Sequence, residues 1–395
     1  MKYIKSEYYL LKKRLREKRK LIQAIVGPRQ VGKTTLITQF MQNEKYLFHF
    51  ASADSAEQSD VFWISQQWEE ARIKLKLSKS KQLILIIDEI QKISAWSEFV
   101  KKEWDNDTRN QTNIKVIILG SSSLLIYQGL TESLAGRFEI INMGHWSFTE
   151  INKAFNISEE QFVWFGGFPG AYSLIKDEAR WKDYIRNSLI EATVAKDILM
   201  LYSVKKPALL KRLFDLGCLY SGQIISYNKI LGQLQDAGNT VTLSHYLNLL
   251  DKAGIITGLQ KYSIQPFRQK ASSPKFQTYN SAFTSALMEE NFKEVKSKPE
   301  KWGRAVEIAI GAHLINHAKV ENIKVFYWRH VNLEVDFVLK YKEQIIALEV
   351  KSGKGKNVKG LAAFNSQFHP KKILNVGRDG IAWEEFLKIN PIDLF

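Results

Sequence analysis

Nine residues, GPRQVGKTT at 27–35, constrain the fold of this 395-residue chain more than any others. They follow the spacing G-x-x-x-x-G-K-S/T through Gly27, Gly32, Lys33 and Thr34. Glycines let successive backbone N–H groups curl around a phosphate. A lysine at this place reaches the β- and γ-phosphates, and the hydroxyl after it ligates Mg²⁺. A helix starting at Lys33 adds the positive end of its dipole. Such a loop has to join a strand to a helix. An apolar β-rich run, LIQAIV (21–26), precedes it, and a helical stretch follows. Gly27, Pro28, Arg29, Gln30, Val31, Gly32, Lys33, Thr34 and Thr35 are therefore the expected nucleotide-binding residues, with ATP and Mg²⁺ as cofactors.

The surrounding pattern agrees. From about 20 to 200, short apolar runs alternate with longer amphipathic stretches, as in a parallel α/β sheet. The expected strands are 21–26, 46–50, 83–87, 115–119 and 138–142. The third ends in two acids, LILIIDE (83–89), which places Asp88 beside the metal and Glu89 where it can polarise a water. The plainer reading of that pair is an edge-loop carboxylate couple. VIILGSSS (116–123) ends the next strand in hydroxyl residues. Ser121 or Ser122 can touch the γ-phosphate or the attacking water, or the run is only a polar strand-to-helix turn. In SLAGRFE (133–139), Arg137 is either an arginine finger for a neighbouring subunit's nucleotide or a surface arginine.

Together, GPRQVGKTTL, IIDEIQKISAWSEFVKKEWD (86–105), GSSSLL and ESLAGRFE resemble the AAA-type ATPases of bacteria and archaea, in which a P-loop core precedes a winged helix and a nuclease-like tail. HWSFTE (145–150) and GGFPGAY (166–172) also resemble motifs of that family. The resemblance covers nearly the whole chain. It implies an AAA-like core and a ring or dimer in which Arg137 acts in trans; it leaves biological role open. Arg186 and Lys196 are candidates for a second lid sensor.

Beyond the core, three helical stretches at 209–222, 225–235 and 242–256, with Ser226 as a cap, precede a ribbon from 255 to about 280. The order resembles a winged helix-turn-helix. As a DNA reader it would turn Ser244, His245 and Asn248 to the major groove, with Lys252, Lys261 and Arg268 near phosphates. The competing reading is a connector or a protein-binding module.

In the tail, an apolar helix at 303–315 carries Glu307 in its middle, a costly place for an unpaired carboxylate. Strands 324–329, 334–340 and 344–353 follow, then a helix at 357–367 and a strand at 372–376. Asp336 lies in the second of these strands. Glu349 and Lys351 share a face of the third, because side chains repeat every two residues. The order Glu, Asp, ExK resembles the PD-(D/E)xK nuclease fold. It implies a restriction-endonuclease-like α/β domain in which Asp336 and Glu349 hold Mg²⁺ and Lys351 steadies the nucleophilic water or the phosphorane charge. Three carboxylates meeting without a cation would repel one another, and a metal would relieve that. The alternative is a retired nuclease fold that binds without cutting. His313 and His317 have the i, i+4 spacing of a zinc pair but lack a third ligand, so helix-face histidines are the better reading.

These patterns divide the chain into an ATPase core with lid (1–203), a winged helix (204–270) and a nuclease-like domain (271–395). Composition sets the remaining bounds. A hydrophobic share of 45% and a charged share of 25% suit an ordinary globular chain. The net charge of +16 points to a polyanionic partner such as nucleic acid or anionic lipid. DNA is the expected partner. Cys218 is the single cysteine, so no internal disulfide forms. No apolar run reaches the roughly 18 residues that span a bilayer, and the basic start has no signal-peptide core, so a cytoplasmic protein with no membrane contact is expected. The function expected is an Mg²⁺-dependent ATPase coupled to DNA binding and phosphodiester cleavage. The alternative is an ATP-driven switch whose C-terminal domains recruit protein or bind DNA without cutting.

Overall fold

The computed structural model describes residues 3–57, 60, 62–120, 123–193, 204–234, 239–265, 272–351 and 358–395. They fall into two units, Met1–Gly144 and His145–Phe395.

In the first unit the apolar runs form a parallel sheet of five strands: β1 (Ile22–Val26), β2 (Leu47–Ser52), β3 (Leu83–Asp88), β4 (Ile114–Gly120) and β5 (Phe138–Asn142), in the order β2-β3-β4-β1-β5. Each lies within two residues of its expected bounds. Parallel strands covered by helices on both faces read as unbroken apolar runs, and β3 and β4 are buried along their whole length. Alternation along β3 sends Leu83, Leu85 and Ile87 to a core with Trp68, Val100 and Ile126. Ile84 and Ile86 go to the opposite face, with Leu11, Ile37 and Phe40. Leu11 belongs to the helix Ser6–Arg16, so the basic start of the chain is built into the fold. The carbonyls of Leu15 and Glu17, at the end of that helix, accept from the buried Lys115 ammonium at 2.6 and 2.7 Å. With all strands parallel, the phosphate loop after β1, Asp88 on β3 and Gly120 on β4 share the carboxyl edge of the sheet, where ligands of open α/β sheets bind.

The second unit begins with helices Phe148–Phe155 and Glu159–Phe165, each opened by a capping box, Ser147 with Glu150 and Ser158 with Gln161. Three helices follow at Pro207–Leu219, Tyr227–Leu231 and Thr240–Lys252. Ser226 caps the second as expected, and Asn239 caps the third. Strands β6 (Ile256–Lys261), β7 (Lys275–Thr278), β8 (Lys324–His330), β9 (Leu333–Tyr341), β10 (Gln344–Lys351) and β11 (Lys372–Gly377) form one sheet in the order β11-β10-β9-β8-β6-β7. The helix Pro299–Glu321 packs on β7, β8 and β10, and the helix Val358–Phe368 on β9 and β10. A core of Tyr262, Trp328, Val335, Val338, Leu361 and Phe364 binds sheet to helix.

The unit boundaries differ from those expected. Residues 145–193, expected with the ATPase core, belong to the second unit. The boundary expected at 270 lies between β6 and β7, which pair antiparallel through Ile256↔Thr278 to Leu259↔Lys275. The polar stretch SIQPFRQKASSPK (263–275), with two prolines, reads as a loop or linker, and hairpin connections have the same composition. Among the described residues, no helix is long and apolar enough to cross a membrane.

Candidate functional site

Gly27 is required by a close approach. A Cβ there would stand 2.0 Å from the Met143 carbonyl oxygen. Gly32 adopts φ 93° as N-cap of the helix Lys33–Asn43, a conformation that side chains rarely take. The Lys33 ammonium is buried and donates to the carbonyls of Gly27 at 2.9 Å and Pro28 at 2.8 Å. Neutral carbonyls are acceptors that an incoming phosphate can outcompete. The Thr34 hydroxyl donates to Asp88 Oδ2 at 3.2 Å. A hydroxyl and a carboxylate side by side are hard oxygen donors suited to Mg²⁺ that also carries phosphate and water. Burial, and then the neighbouring Glu89, push the Asp88 carboxyl above its usual range, and Thr34 and Lys33 oppose the shift. Crowded acids of this kind gain from a divalent cation.

Glu89 is held at φ 51°, a region that costs a non-glycine residue of order 1 kcal/mol. Its N–H donates to Asp88 Oδ1 at 2.9 Å, so the two acids are oriented together. Ser121, Ser122, Lys196 and Arg268 lie outside the described residues. Arg137 precedes β5, level with the start of β1, at the end of the sheet opposite the phosphate loop. It forms a two-pronged ion pair with Asp105 at 2.8 and 3.0 Å. From that end it cannot serve its own nucleotide.

In the second unit the structure brings Glu307, Asp336, Glu349 and Lys351 together and adds two groups that sequence reasoning missed, Lys275 and Glu334. Asp336 in β9 stands across from Glu349 in β10, by continuation of the register that pairs Phe337 with Leu348. Asp336 Oδ2 accepts from the Val350 N–H at 2.8 Å, which explains how an acid is held inside an apolar strand. Lys351 Nζ lies 3.1 Å from Glu349 Oε1, on the shared face that alternation predicts. The Lys275 side chain is fully buried, with its ammonium 2.8 Å from Glu307 Oε1, 3.4 Å from Asp336 Oδ1 and 3.9 Å from Glu334 Oε1. Burial alone would lower the Lys275 pKa, but Glu307 and Asp336 outweigh it and raise it. Burial raises the carboxyls of Glu307 and Glu334 against the pull of Lys275. Burial and then Asp336 push Glu349 up to about 7. Among the described residues Glu349 Oε2 is buried with no hydrogen-bond partner, so its surroundings favour a proton on that carboxyl.

The residues here do not fit the expected metal. Asp336 and Glu307 are already engaged by an ammonium, and a divalent ion would have to stand beside that charge. Lys275 escaped notice because it ends a stretch that reads as a linker. Only strand pairing carries it into the interior.

Other expected residues have structural partners. Arg186 donates to the Ala286 carbonyl at 2.6 Å, at the end of the helix Ser281–Leu287. His145 Nε2 meets the Gly254 carbonyl at 2.9 Å and its Nδ1 meets Asn280 at 3.2 Å, while Asn280 Oδ1 accepts from the Gly167 N–H at 3.0 Å. The HWSFTE and GGFPGAY segments thus meet at one buried junction. His313 Nε2 donates to the Ile389 carbonyl at 2.9 Å. On the helix Thr240–Lys252, Ser244, His245, Asn248 and Lys252 are exposed on one face and Leu243, Tyr246, Leu247 and Leu250 are buried on the other; Lys261 on β6 is half-buried.

Among the comparisons with known proteins, one family match agrees with the first unit's geometry. Residues 19–152 match the AAA domain family. Residues 156–294 and 302–395 match two domains of unknown function, DUF8612 and DUF4143. An uncharacterized protein of Methanocaldococcus jannaschii is 26% identical over 338 residues, 80% of this chain and 72% of that protein. One of Haemophilus influenzae is 25% identical over 261 residues, 62% of this chain and 63% of that one. One of Mycobacterium tuberculosis is 24% identical over 332 residues, 83% of this chain and 69% of that one. Among solved structures, a Walker-type ATPase of Pyrococcus abyssi has a TM-score of 0.47 at 14% identity, over 72% of this chain and 95% of that chain. The parallel sheet, the phosphate loop and the AAA match make the first unit a P-loop ATPase domain.

Proposed function

We propose that the protein is an Mg²⁺-dependent ATP hydrolase whose turnover is coupled to DNA. The observation that carries the hydrolase reading is the Thr34 hydroxyl 3.2 Å from Asp88, beside Lys33 at the carboxyl edge of the sheet. Lys33 exchanges its two carbonyl partners for the β- and γ-phosphate oxygens, and the Lys33–Asn43 helix presents its N-terminal N–H groups to the same phosphates. Thr34 and Asp88 would hold Mg²⁺, which when bound supplies positive charge to the phosphate oxygens. Glu89 orients and polarises the attacking water. Arg137 would serve the nucleotide of a second copy of the chain, after leaving Asp105.

Two features support DNA as the partner: the net charge of +16, and the exposed Ser244, His245 and Asn248 face with Lys252 beside it. DNA cutting at Asp336, Glu349 and Lys351 is left out of the proposal, because those residues do not fit a divalent ion. The test is ATP turnover with and without duplex DNA. Stimulation by DNA in the wild type, and ATP binding without turnover in Glu89→Gln, support the reading. Undiminished turnover in Glu89→Gln removes that residue from the mechanism, and indifference to DNA removes the coupling.

A further inference from the structure

We infer that Lys275 occupies the cation position of the carboxylate centre in the second unit, so that this centre is charge-balanced by the chain itself and takes up no Mg²⁺ or Mn²⁺. The inference is independent of ATP hydrolysis in the first unit.

Acids gathered in a protein interior need a cation. The oxygens facing Lys275 Nζ are Glu307 Oε1 at 2.8 Å, the Asp336 main-chain oxygen at 3.3 Å, Asp336 Oδ1 at 3.4 Å and Glu334 Oε1 at 3.9 Å. Carboxylates with one main-chain carbonyl are the donor set that a hard divalent ion takes. Here a compact ammonium with three donors is at its centre. Nor can the lysine readily withdraw to make room. Its main chain is paired on both sides, with Leu259 in β6 and with Ile224 in an isolated bridge. Its side chain has no exposed surface, and its Nζ lies 4.8 Å from the centre of the Phe337 ring. A metal at Asp336 would meet a fixed charge of the same sign.

The test is Mn²⁺ binding to the full-length chain without nucleotide, followed by electron paramagnetic resonance and calorimetry. A background carrying both Lys33→Ala and Asp88→Asn removes the phosphate and Mg²⁺ contacts of the ATP site. The expected result is no saturable binding at up to about 1 mM Mn²⁺, weak even by the standard of low-affinity divalent sites. Lys275→Ala should create a site for one ion that also raises the melting temperature, and adding Asp336→Asn should abolish it. Saturable binding in that background that Asp336→Asn removes would overturn the inference, as would metal-dependent DNA cleavage lost in the same variant. Failure of folded Lys275→Ala to gain an ion would also overturn it. If Lys275→Ala does not fold, the comparison of that background with and without Asp336→Asn still decides.

Discussion

Two buried lysines, one in each unit, have been given opposite environments. The Lys33 ammonium rests on the carbonyls of Gly27 and Pro28, at a loop whose glycines hold the backbone ready for a phosphate. The Lys275 ammonium rests on the carboxylates of Glu307 and Asp336, with Glu334 near. Dipolar partners are readily exchanged for an incoming anion. Full negative charges in a poorly solvated site are not. The first lysine is therefore positioned to recruit a ligand, and the second completes a structure. Residue type and burial are alike in the two; the charge of the partners decides.

The largest effect expected is on the chemistry of the first unit. Glu89→Gln should lower ATP turnover by roughly 10²–10⁴-fold with nucleotide affinity kept, since the loop is untouched. Lys33→Ala should weaken ATP binding by roughly 10–100-fold, the worth of a charge-assisted contact, with little change in folding. Steady-state kinetics and nucleotide titration read both.

The mirror experiment is Lys275→Ala. It leaves buried acids without their cation, so unfolding in urea should show a loss of about 3–5 kcal/mol. Equal stability losses in Lys33→Ala and Lys275→Ala would break the comparison.

His313 tests a third treatment of a buried ionisable group: among the described residues no carboxylate is paired with it. Burial and then His317 lower its pKa to about 3. The unfolded chain therefore takes up a proton near pH 6.5 that the folded one refuses. Stability should be complete above about pH 6.5 and fall as the pH drops, by about 2 kcal/mol at pH 5. His313→Gln should flatten that acid limb in pH-dependent denaturation. An unchanged slope would mean that His313 is protonated in the fold.

The smallest effect concerns the exposed helix face. Replacing Ser244, His245 and Asn248 by alanine should weaken DNA binding about tenfold without changing its salt dependence, because none is a fixed cation. Lys252→Ala should lower the salt slope by about 1. A salt-independent affinity in the wild type would argue against DNA as the partner.

The sequence by itself determined the elements whose causes are local. Unbroken apolar runs mark buried parallel strands, and the spacing of Gly27, Gly32, Lys33 and Thr34 marks the loop, because both depend on neighbours a few residues away. Strand alternation likewise placed Glu349 and Lys351 on one face. Tertiary structure alone decided that Lys275 and Glu334 join the expected Glu307, Asp336, Glu349 and Lys351. Lys275 and Asp336 are 61 residues apart, and nothing in the polar stretch around Lys275 signals burial. The same holds for Asn280, which draws His145 and Gly167 to one junction. Periodicity assigns a side chain to a face of its own element. Which distant segment covers that face, and with what charge, is settled only when the chain packs.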